Sequence, residues 1–174
     1  MPMHATTPIV LSTLAFSTSL HLAVALLVQE DVVAGHPWVH AYTKFFREAI
    51  PAIDRLAGVS PYPELARLVF SLMWTLVPIL MVFYLKTGAQ ALAGRFHRRP
   101  LYATIPALCL ALLAASFFAK PESALLAWSD SRLGLGLFAG FYAPAMALCL
   151  CVVLSCLVSF AGKSRERPIT PAAR

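Results

Sequence analysis

Leu133-Gly-Leu-Gly-Leu-Phe-Ala-Gly-Phe-Tyr-Ala-Pro-Ala-Met-Ala-Leu-Cys-Leu-Cys-Val-Val-Leu-Ser-Cys-Leu-Val-Ser-Phe-Ala161 runs for 29 residues without a charged side chain. A helix needs about 20 apolar residues to cross the hydrocarbon of a bilayer. Coiled as a helix, this stretch is roughly 43 Å long, more than a membrane core is thick, so it tilts or projects. It does not alternate in ten-residue segments, which excludes a transmembrane β-strand.

Three more stretches upstream satisfy the same criterion: Pro8–Val28, Leu65–Leu85 and Leu101–Ala119. The composition agrees, with 59% apolar and only 13% charged residues, against about a quarter charged in soluble domains. The expected fold is therefore all-α: a polytopic membrane protein with four transmembrane helices, 8–28, 65–85, 101–119 and 133–161, in a single membrane domain spanning 1–174. Pro78, Pro106 and Pro144 fall inside spans, where neighbouring helices tolerate the freed carbonyls. No internal repeat is visible, which gives no support to an inverted-repeat transporter.

Loop charge sets the expected orientation. Lys86, Arg95, Arg98 and Arg99 follow the second span with no acid, and Lys163, Arg165, Arg167 and Arg174 follow the last with Glu166 alone. The other two loops mix Lys44, Arg47, Arg55, Arg67, Lys120 and Arg132 with seven acidic residues. The positive-inside rule then places both termini, including the tail 162–174, in the cytoplasm. The cluster Arg95, His97, Arg98 and Arg99 is read as a topology signal, not a nucleic-acid site. Ala23-Val24-Ala25 has the shape of a signal-peptide cleavage site, but no Lys or Arg precedes it and the apolar stretch is long, so span one is read as retained.

The outer loop, 29–63, contains His36-Pro-Trp-Val-His-Ala-Tyr-Thr-Lys-Phe-Phe-Arg-Glu-Ala-Ile50. Pro37 suits a first helical position. Trp38, Tyr42, Phe45 and Phe46 recur at helical spacing, with Ala49, Ile53 and Leu56 continuing the face. An amphipathic extracytoplasmic helix is expected, interrupted at Pro51, with the four aromatics as interfacial anchors. It is read as covering the top of the bundle, or as a docking surface for a partner.

The interiors of all four expected spans lack Asp, Glu, Lys and Arg. Buried charges mark ion and proton paths, so their absence argues against pumps, proton-coupled carriers and charged-ring channels. Thr13, Ser17 and His21 lie four apart and form the intramembrane polar face. A structural hydrogen bond is the leading reading of His21, ahead of haem, quinone or proton relay. His97, the candidate second haem ligand, lies in the cytoplasmic loop and does not match its depth. His36 and His40, even with Glu30 or Asp31, make too thin a metal set, so no metal is expected.

Cys109, Cys149, Cys151 and Cys156 all lie in apolar runs, so no disulfide framework is expected. Gly136, Gly140, Ala143, Ala147, Cys151, Ser155 and Ser159 form a small-residue ladder that lets backbones approach, within the bundle or against a partner. There is no P-loop, dinucleotide fingerprint, nucleophile elbow or HExxH zinc motif, and no nucleophile sits beside a matching base. No enzyme activity, cofactor or nucleic-acid partner is expected.

Chain length, four spans, cytoplasmic ends and a sizeable first outer loop resemble the immunity proteins that neutralise pore-forming bacteriocins. The resemblance is architectural and carries no residue role. It implies non-catalytic recognition of another membrane protein, as in immunity, exclusion or an accessory subunit, with membrane lipid and a protein or a second copy as partners. A small oligomeric channel or carrier, and a haem- or quinone-binding redox subunit, are the alternatives.

Overall fold

The computed structural model describes residues 6–87, 111 and 130–165, with side chains for 8–86, 111 and 130–154. The expected third span, 101–119, lies outside the described residues save for Ala111, as do the loop 88–100 and the tail from 166 onward. Six helices are described: α1 Thr6–Leu27, α2 Glu30–Gly35, α3 Pro37–Ala49, α4 Ala52–Ala57, α5 Pro63–Thr87 and α6 Arg132–Arg165. Three carry stretches long and apolar enough to span a membrane, Pro8–Leu27, Pro63–Lys86 and Arg132–Leu154, as in a multi-pass membrane protein.

The breaks between helices follow local chemistry. Pro37 opens α3 at a position whose N–H would have no helical partner. Ile50, the residue before Pro51, is forced out of helical geometry to φ −135° and ψ 83°, which ends α3. The first turn of α5 is capped from a distance: the Glu64 N–H donates to Glu30 Oε1 at 3.0 Å. That carboxylate satisfies an orphan donor and sits at the positive end of the α5 dipole.

Packing contacts fix the directions of the long helices. On α6, Phe138 meets Phe70 of α5 with ring centres 6.2 Å apart. Further along, Cys151 Sγ donates to the Met81 carbonyl at 3.3 Å. Numbers rise together, so α5 and α6 run parallel. Between α6 and α1 they run oppositely: Gly140 lies against Thr18, and Gly136 against Leu22. α6 is thus the central shaft, flanked by α1 and α5.

Small residues make that closeness possible. Ala25, Ala66, Ala139, Ala143 and Ala147 are buried where the three helices meet, among larger side chains such as Phe70, Leu135 and Met146. A Cβ on Gly140 would lie 2.5 Å from Thr18 Cα, and one on Gly136 would lie 3.0 Å from Leu22 Cα. Backbone cannot yield as a flexible side chain can, so Gly140 has no room for a Cβ, while one on Gly136 would push α1 away by a few tenths of an ångström.

The segment between α1 and α5 differs from a helix laid across the top of the bundle. Tyr42 Oη lies 2.5 Å from Thr75 Oγ1. Thr75 lies 12 residues past Pro63, roughly 18 Å along α5. Thr75 already donates to the Ser71 carbonyl at 3.0 Å, so the Tyr42 hydroxyl is the donor of the pair. α3 therefore leans on the flank of α5. Its inward side is Val39 and Thr43, with half-buried Tyr42 and Phe46, while Trp38 and Phe45 face outward. The expected set of four aromatic anchors splits into two pairs with different surroundings.

Candidate functional site

Two polar groupings sit on this apolar frame. The first is the α1 column. Ser17 and His21 are fully buried, and Thr13 is half-buried one turn below. Thr13 Oγ1 lies 2.9 Å from the Val10 carbonyl, which only accepts, so the hydroxyl donates there. Tyr84 Oη, 2.6 Å from Thr13 Oγ1, is then the donor across to α1. The link ties α1 to α5 near the end of the bundle where α1 begins.

His21 Nδ1 is 2.7 Å from the Ser17 carbonyl oxygen, so Nδ1 carries the proton. That leaves Nε2 as an acceptor. Neither it nor Ser17 Oγ, nor Ser71 Oγ on α5, finds a hydrogen-bond partner among the described residues. Each such atom costs free energy in a low-dielectric interior. Thr13, Ser17 and His21 thus share the inward face of α1, and of the three only Thr13 is tied directly to a side chain of another helix among the described residues.

An interhelical hydrogen bond in a membrane averages about 0.6 kcal/mol, and about 1.7 at most. A double-mutant cycle of Thr13→Val and Tyr84→Phe, read by denaturant unfolding in mild detergent, is expected to give a coupling energy inside that range. A value indistinguishable from zero would remove the bond from the list of stabilising contacts.

The second grouping lies at the opposite end. Arg47 Nε of α3 lies 2.7 Å from Asp54 Oδ1 and 2.8 Å from Oδ2. Arg67 Nε of α5 lies 3.0 Å from Oδ1 of the same carboxylate. Arg67 also bonds Glu64. Through Asp54, this cluster joins α3, α4 and α5. Burial alone would raise the Asp54 carboxyl; the hydrogen bonds and charges of Arg47 and Arg67 outweigh it and hold the group below the usual carboxylate range. At the same end Arg132 donates to the Val28 carbonyl at 3.2 Å and lies 5.0 Å above the Tyr62 ring. A cation at the C-terminal end of α1 also meets the negative pole of that helix.

In the sequence Arg47 and Asp54 are loop charges that fall mostly on the side of the amphipathic helix away from its aromatics. The structure half-buries Arg47 and uses both to bind α5. The available clue was Arg67, a charge at the very start of an apolar run that needs a counter-ion nearby.

The small-residue ladder is spent inside the bundle over its described part. Gly136 and Gly140 face α1, Ala143 and Ala147 are buried, and Cys151 bonds α5. The side chains of Ser155 and Ser159 lie outside the described residues. Among the described residues, no group of three His, Cys, Asp or Glu side chains comes together as a metal site. His36 and His40 are both exposed on the outer segment.

Between α6 and Thr18 of α1, an open apolar groove of about 450 Å³ among the described residues is lined by Thr18, Leu137, Phe138, Phe141, Tyr142 and Ala145. Phe138 and Tyr142 stack along it, with ring centres 5.2 Å apart. Compared with known proteins, the chain matches no family model, no curated protein and no solved structure.

Proposed function

We propose that this chain is a non-catalytic bacterial inner-membrane protein that works by helix–helix recognition of another membrane protein, as an immunity- or exclusion-type factor or an accessory subunit of a complex. The observation that carries the reading is the groove on α6. The glycine face of that helix is already filled by α1, yet beside that contact, from Thr18 of α1 across to Phe138 and Tyr142, the described residues leave a concave, aromatic-lined surface that includes the exposed Phe141. Helix association in lipid depends on close packing, because lipid tails offer no hydrophobic penalty for staying apart. A preformed concave surface favours such packing.

The reading includes four spans with both ends cytoplasmic. The parallel course of α5 and α6 supports a further crossing. The chain leaves α5 at one end of the bundle and enters α6 at the other, and 101–119 is the apolar stretch between them. The Lys and Arg excess after Lys86 and after Ala161 supports the orientation.

Ala145→Leu fills the groove and Phe141→Ala removes its rim, and neither touches the glycine face. Both are expected to lose a partner that co-purifies with wild-type protein from native membranes, while the isolated variants keep the wild-type unfolding midpoint. Recovery of an equal amount of partner with both variants would move recognition off this surface.

The unpartnered Nε2 of His21 favours a second reading, a haem- or quinone-binding subunit. A Soret band in protein purified from its native membrane would select it. The buried line Thr13, Ser17 and His21 is also the lining that a small oligomeric channel would use. Solute flux into liposomes holding only this protein would select that alternative.

A further inference from the structure

We infer that the exposed flank of α3 is a lipid-binding edge: Trp38 and Phe45 lie among the upper acyl chains of the leaflet at the α5 N-terminal end, and the helix slopes through the headgroup layer. The inference is independent of which protein the bundle recognises.

Depth is the first argument. Arg47 meets α5 at the level of Arg67 through their shared Asp54, whereas Tyr42 meets it at Thr75, eight residues deeper. Eight residues are roughly 12 Å of helix, and a tyrosine side chain accounts for little more than one ~5.4 Å turn of that. The rest is descent of α3 itself towards its N-terminus, and Trp38 lies one turn beyond Tyr42. Headgroups occupy only about 5–7 Å on each side of the hydrocarbon. With the charged cluster of Arg67 and Asp54 at the polar surface, the first half of α3 reaches the acyl chains.

Partition of the side chains is the second. Trp38 and Phe45 are seven residues apart, two turns on one stripe, and are 67% and 66% exposed. Ala49 continues that stripe. His40 and Arg47 fall on the other flank, and Lys44 and Glu48 face each other at 3.9 Å on the outward side. One flank thus suits hydrocarbon and the other water, with the buried side held against α5. Tryptophan at such a boundary buries its rings while its N–H reaches polar groups.

The surroundings are the third. Other large apolar side chains at the same end are exposed too, Leu26 and Leu27 on α1 and Val32 on α2.

The test uses the full chain in phosphatidylcholine vesicles. The chain has three tryptophans, so Trp74→Phe with Trp128→Phe leaves Trp38 as the sole emitter. Lipids brominated near the headgroup end of the acyl chain are expected to quench Trp38 more than lipids brominated at mid-chain. Both are expected to quench it more than aqueous iodide. If the double variant does not fold, the difference in quenching between wild-type protein and Trp38→Phe reports the same residue. Iodide quenching that exceeds bromolipid quenching would overturn the inference, placing Trp38 in water. So would protection from both quenchers, which would place it against protein.

Discussion

Gly140→Leu is expected to lower the stability of the bundle by about 3 kcal/mol or more, at or beyond the top of the usual overpacking range. The cause is local and severe. A first side-chain carbon alone would sit 2.5 Å from Thr18 Cα and 3.1 Å from its nitrogen, and leucine adds three more. Relief requires α1 to move off α6 as a body, which would drag the Thr13–Tyr84 bond and the burial of Ser17 and His21 with it. The measurement is the denaturant midpoint of purified protein in mild detergent, with size-exclusion chromatography for dispersity. Gly140→Ala should shift the midpoint the same way by less. Gly35→Ala, whose Cβ would meet nothing within 4 Å, should leave it unchanged. A Gly140→Leu protein with a wild-type midpoint would mean that α1 and α6 do not pack as described.

Asp54→Ala is expected to cost roughly 1–2 kcal/mol, more than an isolated exposed pair and less than the 3–5 kcal/mol of breaking a fully buried one. The intermediate value follows from intermediate exposure: the Asp54 side chain is 38% exposed, and solvent screens part of the attraction. Loss of the carboxylate also leaves the Arg47 and Arg67 guanidiniums facing each other. The sign with pH follows from the direction of the shift. The folded-state value of Asp54 lies below its unfolded value, so its contribution is complete above the ordinary carboxylate range near pH 4 and is lost as pH falls through the lower folded value. Wild-type unfolding midpoints should therefore fall on acidification below about pH 4 more steeply than those of Asp54→Asn. Parallel acid profiles for the two proteins would show that the carboxylate contributes nothing to stability through its charge.

The spans were legible because hydropathy over twenty residues is a strong signal. The first, second and last were expected at 8–28, 65–85 and 133–161, and the helices run Thr6–Leu27, Pro63–Thr87 and Arg132–Arg165. Except at Leu27, one residue short, the ends overrun, because helices continue past the hydrocarbon for as long as capping and solvent allow. Gly136 and Gly140 were readable as a point of close approach, but not as the seat of α1, because any helix with a flat face would fit the same pattern. The four loop aromatics were readable as one amphipathic face but not as two pairs. An apolar side chain satisfies the same periodicity whether it meets α5 or lipid. Tyr84 was unreadable as a site residue, since Thr13 lies 71 positions away in sequence, and Asp54 could be reached only through the counter-ion that Arg67, 13 positions on, requires.

The length of α6 has one more outcome. Its 34 residues extend roughly 51 Å, and its first turn is pinned beside Tyr62 and Val28 by Arg132. The surplus over a hydrocarbon core of about 30 Å cannot be shared between the two surfaces. What tilt does not absorb emerges at the far end, where the last turn carries Lys163 and Arg165. A partner approaching from that compartment would meet those two cations first, at the end of a helix otherwise free of charge from Leu133 to Ala161.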